Sequence, residues 1–300
     1  MMANSQPRLG IRQSRDSSEW RAGGFTRIEA LALLGALVIV ATVSTPLAAN
    51  TRTHSRLAQC LANLSQVQRA WSLYADDHHG RLVSPTAAAD VSTRPDWVNG
   101  TWIDFTPGNP ANLDTNRFPV GSPLWAYSSR DASIFRCPDD PARLRVPRSE
   151  DPSLVMPRTR SYAMNSWLSG TTPWPDAGSE AFRLVTSLED LVDPGPSRTY
   201  VFIDEREESI NDGALLVSMA GFPVGGVASQ GSYRIIDFPA DWHDGCAAVT
   251  FADGHIEARR WLDSRTTPPH RSANLFPLNI ASPNNPDVAW LQERSTSRGR

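Results

Sequence analysis

The sequence has few cysteines and almost no net charge. Its three cysteines, Cys60, Cys137 and Cys246, are too few for a disulfide scaffold, and no CxxC pair indicates a structural metal site. If the protein is exported, one disulfide bond and one free thiol are possible, and the bond could join Cys137 to Cys60. A formal net charge of −3 gives the chain no general attraction to nucleic acid, so no nucleic-acid partner is predicted.

The sequence also lacks the motifs of common enzymes. It contains no Gly-x-Ser-x-Gly elbow, no HExxH pair and no glycine-rich phosphate loop. These absences predict a protein that is not an enzyme and that holds no catalytic cofactor. Its 24 prolines and 19 glycines predict a loop-rich domain with short strands.

One long uncharged run stands near the start of the chain, between Ala30 and Ala49. A helix of that length spans roughly 30 Å, close to the hydrocarbon thickness of a bilayer. The run therefore predicts a transmembrane helix, with a secretory signal peptide cleaved near Ala49 as the alternative. Positive charges before the run favour a cytoplasmic leader and an extracytoplasmic C-terminal domain. These charges are Arg8, Arg12, Arg15 and Arg21.

The junction before this run is Gly23-Gly24-Phe25-Thr26-Arg27-Ile28-Glu29. It resembles the type IV pilin and type II secretion pseudopilin family, in which the leader ends in Gly, the mature chain begins with Phe and its fifth residue is Glu. The resemblance implies cleavage by prepilin peptidase between Gly24 and Phe25, followed by N-methylation of Phe25. It also implies that Glu29 pairs with the amino group of a neighbouring subunit during assembly. The alternative is that Glu29 only marks the boundary of the helix.

The chain after the uncharged run shows helical and then strand periodicity. Apolar residues three and four positions apart predict that the helix continues to about Asp77 and ends at Gly80. These apolar residues are Leu57, Leu61, Leu64, Val67, Trp71 and Tyr74. Runs at 199–203, 233–236 and 247–251 predict strands, and Asp253-Gly254 predicts a tight hairpin turn after the last of them.

Together these patterns predict an α+β, pilin-like fold, in which a long N-terminal helix packs on an antiparallel β-sheet with long loops. The membrane is expected to be spanned by the first half of this helix. The predicted domains are a cleaved basic leader (1–24), a transmembrane helix (25–49), its amphipathic continuation (50–79), an exported globular α+β domain (80–264) and a Pro/Asn/Ser-rich tail with a disordered end (265–300).

A second motif lies near the C-terminal end, where nine residues separate His243 from Asp253-Gly254. It resembles the C-terminal signature of a large bacterial subgroup of prepilin-like proteins, and the segments around Cys60, Cys137 and Asp204 are similar to that subgroup too. Three interpretations stay open: a structural turn, a hydrolase site built on His243 and an acid, and a Ca²⁺ site. Calcium ligands would come from Asp139, Asp204, Glu205, Asp244 or Asp253.

The resemblance implies a subunit of a type II secretion pseudopilus or a type IV pilus-like filament, located in the bacterial inner membrane with a single pass. Its expected partners are prepilin peptidase, other pilin-like subunits, an inner-membrane assembly platform and the lipid bilayer. The alternative function is an unassembled, membrane-anchored binding protein whose Trp-rich domain holds an extracellular ligand such as a glycan.

Overall fold

The computed structural model describes residues 26–86, 94–106, 108–146, 149, 151, 153–171, 181–223, 228–271 and 275–299. The chain divides into two compact units, Met1–Ala49 and Asn50–Arg300. Helix α1 covers Arg27–Asp77, and its side chains are described at 27, 28, 30–32, 34 and 55–77. The predicted domain limits are not tested by this division and stay predictions.

The second unit is built around a five-stranded sheet in the order β5-β3-β4-β7-β8. Two small two-stranded sheets, β1-β2 and β6-β9, accompany it. The strand bounds are β1 Arg143–Arg145, β2 Val155–Pro157, β3 Tyr162–Asn165, β4 Tyr200–Asp204, β5 Ala214–Leu215, β6 Arg234–Ile235, β7 Cys246–Phe251, β8 Ile256–Arg260 and β9 Ile280–Ala281. A second helix, α2, covers Pro286–Ser295.

The predicted hairpin is confirmed. Strands β7 and β8 pair antiparallel from Cys246 opposite Arg260 to Thr250 opposite Ile256, and Asp253-Gly254 lies in the turn that joins them. Strand β7 is buried at every residue because it lies inside the sheet, between β4 and β8. The predicted strand at 199–203 is β4, which is buried throughout as well.

The end of α1 follows from its sequence. The helix stops at Asp77, and the N–H of Gly80, with a φ of 80°, donates to the Ala75 carbonyl at 2.8 Å. A left-handed glycine after the last turn is the usual way to satisfy helical carbonyls. Within the second unit, the apolar side chains of this part of α1 share a core with strand residues. They are Cys60, Leu64, Val67, Trp71 and Tyr74 on the helix and Met164, Phe202 and Ala248 on the strands.

The predicted fold class is wrong. The described part of the chain is rich in strands, with nine against two α-helices, and its central sheet is mixed rather than antiparallel. Strand β5 pairs parallel with β3, with Met164 opposite Ala214. The physical reason is that β5 has only two residues and follows a long loop, so its direction depends on tertiary contacts and leaves no pattern in the sequence.

The predicted membrane span is also wrong. Among the described residues, no helix is long and apolar enough to cross a bilayer. The run from Leu31 to Ala41 is apolar, but Thr42, Ser44, Thr45 and Pro46 follow it, so it is much shorter than the roughly 20 apolar residues that a span needs. The prediction of a single-pass inner-membrane protein is therefore wrong as well. The membrane and secretion roles that depended on this location are withdrawn with it.

The predicted disordered end is a third error. Residues 286–295 form α2, whose N-cap is Asn285, and the side chain of Asn285 accepts from the N–H groups of Asp287 and Val288. Trp290 and Leu291 are buried in a core with Phe251 and Trp261. The Pro and Asn content that suggested a tail instead forms a helix start, since Pro is favoured in the first helical turn and Asn before it.

Candidate functional site

The residues of the predicted processing site lie largely outside the described structure. Gly24 and Phe25 are not among the described residues. Glu29 belongs to α1, but its side chain is outside the description. The structure therefore brings no new observation to the cleavage motif, which stays a prediction.

Four residues of the predicted signature do converge. Cys60, Cys137, Asp204 and His243 each offer one ligand atom, and these atoms all lie within 4.8 Å of one another. We call this group the Cys–Asp–His cluster. It is built from four separate parts of the second unit: α1, the loop after the 3₁₀ turn at Ala132–Phe135, the end of β4 and the turn before β7. Its members are exposed by only 0–4%.

The polar atoms of the Cys–Asp–His cluster face one another. The Cys60 thiol donates to Oδ1 of Asp204 at 3.3 Å, and Sγ of Cys137 lies 3.1 Å from Nε2 of His243. The same Nε2 is 3.7 Å from Oδ2 of Asp204. Two sulfur atoms, one imidazole nitrogen and one carboxylate oxygen thus surround a common point.

A second layer of groups orients these side chains. Nδ1 of His243 lies 3.0 Å from Oδ2 of Asp139, although the pair is not aligned as a hydrogen bond. The other carboxylate oxygen of Asp139 pairs with the guanidinium of Arg56 at 2.8 Å. The N–H of Ala248 donates to Oδ2 of Asp204 at 2.8 Å. Asp139 therefore favours a proton on Nδ1 of His243 and leaves Nε2 free to accept or to ligate.

Burial controls the protonation of the Cys–Asp–His cluster. It raises the pKa of Asp204 to about 7, against the opposing hydrogen bonds from Ala248 and Cys60. It raises the pKa of Cys137 to about 11 and that of Cys60 well above its ordinary value. Burial also lowers the pKa of His243, while Asp139 opposes that shift. At neutral pH both thiols are therefore protonated and the imidazole is neutral.

The Cys60–Cys137 disulfide that the sequence left open is not formed, since all three cysteines are free thiols. The structure does bring Cys60 and Cys137 into one cluster, as that hypothesis required. Cys246 lies elsewhere, with its Sγ 4.0 Å from the Asp244 carbonyl oxygen. A cavity of about 180 Å³ lies beside the Cys–Asp–His cluster, and Cys137 is the cluster residue that lines it. It is lined in part by Gln59, Asn63, Pro138 and Ser161.

Comparison of this chain with known protein families, curated proteins and solved structures finds no match.

A second group of potential ligands was missed by the sequence analysis. Glu207, Glu208 and His270 bring their ligand atoms within 4.8 Å, and the first two are buried. Glu208 is already paired with Arg206 at 2.8 Å, and His270 is half exposed. The adjacent acids after β4 are the only sign of this group in the sequence. The described part of the chain thus holds two groups of residues that could hold a metal ion, and the predicted absence of a cofactor stays open.

The Asp253-Gly254 part of the signature lies apart from the Cys–Asp–His cluster. The N–H of Ala252, beside the turn, donates to the carbonyl of Thr199 at the start of β4, whereas Asp204 ends that strand. The nine-residue spacing from His243 thus corresponds to strand β7 with its flanking turns. The predicted calcium site is not assembled from Asp139, Asp204 and Asp253 together, because only the first two meet, at His243.

The turn supports the structural interpretation of Asp253 and Gly254. Oδ1 of Asp253 accepts from the N–H of His255 at 3.1 Å, and the N–H of Gly254 donates to the Phe251 carbonyl at 2.9 Å. Gly254 has a φ of 93°, a conformation that disfavours any residue with a Cβ. The side chain of Asp253 therefore stabilises the turn by accepting from a backbone N–H, and Gly254 permits the left-handed conformation that the turn requires.

We expect Gly254→Ala to lower the free energy of unfolding by about 1–2 kcal/mol, because a Cβ is strained at this φ. No neighbouring atom lies within 4 Å of the new Cβ, so strain is the only expected penalty. Gly231→Ala is the matched control: it also meets no atom within 4 Å, and its φ lies outside the left-handed range. Urea denaturation of both variants measures the difference. If the two variants had the same free energy of unfolding, the left-handed conformation of the turn would not be the reason for a glycine at position 254.

Proposed function

We propose that this chain is a structural subunit that is cleaved between Gly24 and Phe25 and then assembles with similar subunits into a pilus-like filament. One observation supports assembly above the others. At the start of α1, Ile28, Leu31 and Leu34 are exposed by 79%, 68% and 59%. Large apolar side chains exposed together on one helix disfavour an isolated chain in water. Contact with the same region of another subunit would cover them.

The positions of these residues fit a helix–helix contact. Ile28, Leu31 and Leu34 are each three residues apart, so they follow one side of the helix. Cleavage before Phe25 would place a new α-amino group four residues before Glu29. A Glu that pairs with the amino group of a neighbour favours one register, because a shifted neighbour leaves both charges unpaired. The apolar contact then supplies affinity and Glu29 supplies register.

A non-enzymatic role is the better proposal for the second unit. The Cys–Asp–His cluster is almost completely buried and its groups are in mutual contact, which leaves no space for a substrate among them. Cys137 and Cys60 have raised pKa values because they are buried, so both are poor nucleophiles at neutral pH. The group suits a structural role.

The alternative of a glycan-binding protein receives less support. Such a surface needs exposed aromatic rings, but most tryptophans among the described residues are buried or partly buried. Trp102 is the exception, exposed by 50%. The tryptophan content of the second unit is therefore explained by its core, where Trp71, Trp97 and Trp167 are at most 1% exposed.

The assembly proposal predicts that Leu31→Asp abolishes incorporation into filaments, because it introduces a charge into the apolar contact. Glu29→Ala should reduce incorporation as well, while cleavage proceeds normally. Leu262→Asp is the matched control, since Leu262 is 67% exposed and belongs to the second unit. Each full-length variant is expressed with a prepilin peptidase, and sedimentation followed by electron microscopy measures the polymer.

Intact mass and N-terminal sequencing of the same samples test processing. A mature chain that starts at Phe25 only when the peptidase is present supports the proposal. A chain that keeps residues 1–24, or one in which Leu31→Asp assembles as well as Leu262→Asp, contradicts it.

A further inference from the structure

The Cys–Asp–His cluster has the composition of a metal site. Thiolate and imidazole ligands suit zinc and similar ions, whereas Ca²⁺ takes six to eight oxygen ligands. Four protein ligands with no open position are the usual arrangement of a structural zinc site. The four residues come from parts of the chain far apart in sequence, which explains why no CxxC spacing announced them.

The distances within the cluster fit a tetrahedral ion. With bonds of about 2.3 Å to sulfur and about 2.0 Å to nitrogen or oxygen, ligand atoms around zinc are separated by roughly 3.3–3.8 Å. With Oδ2 of Asp204 as the ligand atom, the separations are 3.5 Å to Sγ of Cys60 and 3.7 Å to Nε2 of His243, and that Nε2 lies 3.1 Å from Sγ of Cys137. An ion would therefore need only small side-chain movements to enter.

Neighbouring groups hold the side chains of His243 and Asp204 in orientations that suit metal ligands. A metal-binding imidazole commonly has a carboxylate at its other nitrogen, and Asp139 occupies that place beside Nδ1 of His243. Oδ2 of Asp204 accepts from the N–H of Ala248, which orients the carboxylate and leaves that oxygen a second lone pair for the ion. Arg56 in turn neutralises Asp139. An ion would approach the cluster from the side of Cys137, which lines a cavity.

We infer that Cys60, Cys137, Asp204 and His243 bind one zinc ion, which links α1 to the central sheet and to the loop at Cys137. Both thiols must lose their protons when the ion binds, and the positive charge of the ion favours that loss. The bound ion replaces the hydrogen-bond contacts among these groups by four metal–ligand bonds. This inference is independent of cleavage and assembly.

The inference is tested by metal content. The full chain, purified under reducing conditions and incubated with excess zinc, should retain one zinc ion per chain after gel filtration. Cys137→Ser and Asp204→Asn should retain less than a tenth of that amount. Cys246→Ser is the matched control, because it removes a buried thiol that lies outside the cluster, and it should keep the full amount.

A second measurement covers variants that fail to fold. Cobalt added to the reduced wild-type chain should give intense thiolate-to-metal charge-transfer absorption, which zinc then removes. Calcium should neither produce nor displace this signal. The inference is overturned if the reduced wild type binds no zinc and gives no such absorption, if Cys246→Ser loses zinc as fully as Cys137→Ser, or if the purified protein contains a Cys60–Cys137 disulfide.

Discussion

Replacing Trp97 with alanine should lower the free energy of unfolding by about 3–5 kcal/mol, the usual range for a buried aromatic residue. Trp97 is fully buried, and its indole N–H donates to the carbonyl oxygen of Gly213 at 2.8 Å. Its ring meets those of Phe118 and Phe202 edge-on, with centroids 5.4 and 5.1 Å away. The substitution therefore leaves a cavity and removes one of two hydrogen bonds to the Gly213 carbonyl, which keeps the bond from the N–H of Met164.

Trp102→Ala provides the comparison, because it removes the same atoms from a half-exposed side chain. We expect a loss of less than about 0.5 kcal/mol for this surface position. Urea denaturation followed by circular dichroism measures both, since tryptophan fluorescence changes with the substitution itself. If the two losses were the same, Trp97 would not be a central residue of this core.

Replacing Glu208 with alanine should destabilise the protein by about 3–5 kcal/mol, because it leaves a buried arginine without its partner. The side chains of Arg206 and Glu208 are 0% and 1% exposed, and Nε of Arg206 donates to Glu208 at 2.8 Å. The other oxygen of Glu208 accepts from the N–H of Arg271 at 2.8 Å. Asp241, 3.6 Å from Arg206, compensates only part of the lost charge.

The effect of Glu208 should depend on pH in a defined direction. Burial alone would raise its pKa, but the hydrogen bonds from Arg206 and Arg271 outweigh it, and the pKa lies below its ordinary value of 4.5. Because the folded-state pKa is the lower one, the stabilisation is complete above pH 4.5 and is lost as the pH falls through the folded-state value. The difference between wild type and Glu208→Ala should thus shrink in acid.

Glu293→Ala is the control for this pair. Glu293 and Arg294 are 3.3 Å apart with side chains 51% and 23% exposed, so the loss should stay below about 1 kcal/mol. Chemical denaturation at several pH values gives both comparisons. A constant difference for Glu208→Ala across the acid range would mean that its charge does not contribute to stability.

Local elements could be predicted from the sequence where a strong pattern coincides with a turn residue. The hairpin of β7 and β8 follows from a buried apolar run beside Asp253-Gly254, and the helix end at Asp77 follows from Gly80. These features depend on neighbours within a few residues. The stability of these elements therefore depends mainly on residues that are close together in the sequence.

Features that depend on distant contacts could not be predicted. The parallel pairing of β5 and the burial of α2 both depend on partners far away in the chain, although the Asn285 cap of α2 is local. The Cys–Asp–His cluster is an intermediate case. The resemblance indicates its four residues and the possible Cys60–Cys137 pair anticipates one contact, but the sequence holds no pattern that brings Asp204 and His243 to the same place. Asp139 was considered only as a calcium ligand, and its place beside His243 became clear only in three dimensions.

The position of α2 has a consequence for the order of folding during synthesis. The side chain of Asn165 in β3 donates to the carbonyl oxygens of both Tyr200 and Ser295, and the latter is 130 residues later in the chain. Trp290 and Leu291 complete the core that also contains strand residues Ala163 and Ile203. The central sheet therefore lacks part of its covering until α2 has left the ribosome, so the nascent chain carries an incomplete sheet from the emergence of β3 to that of α2.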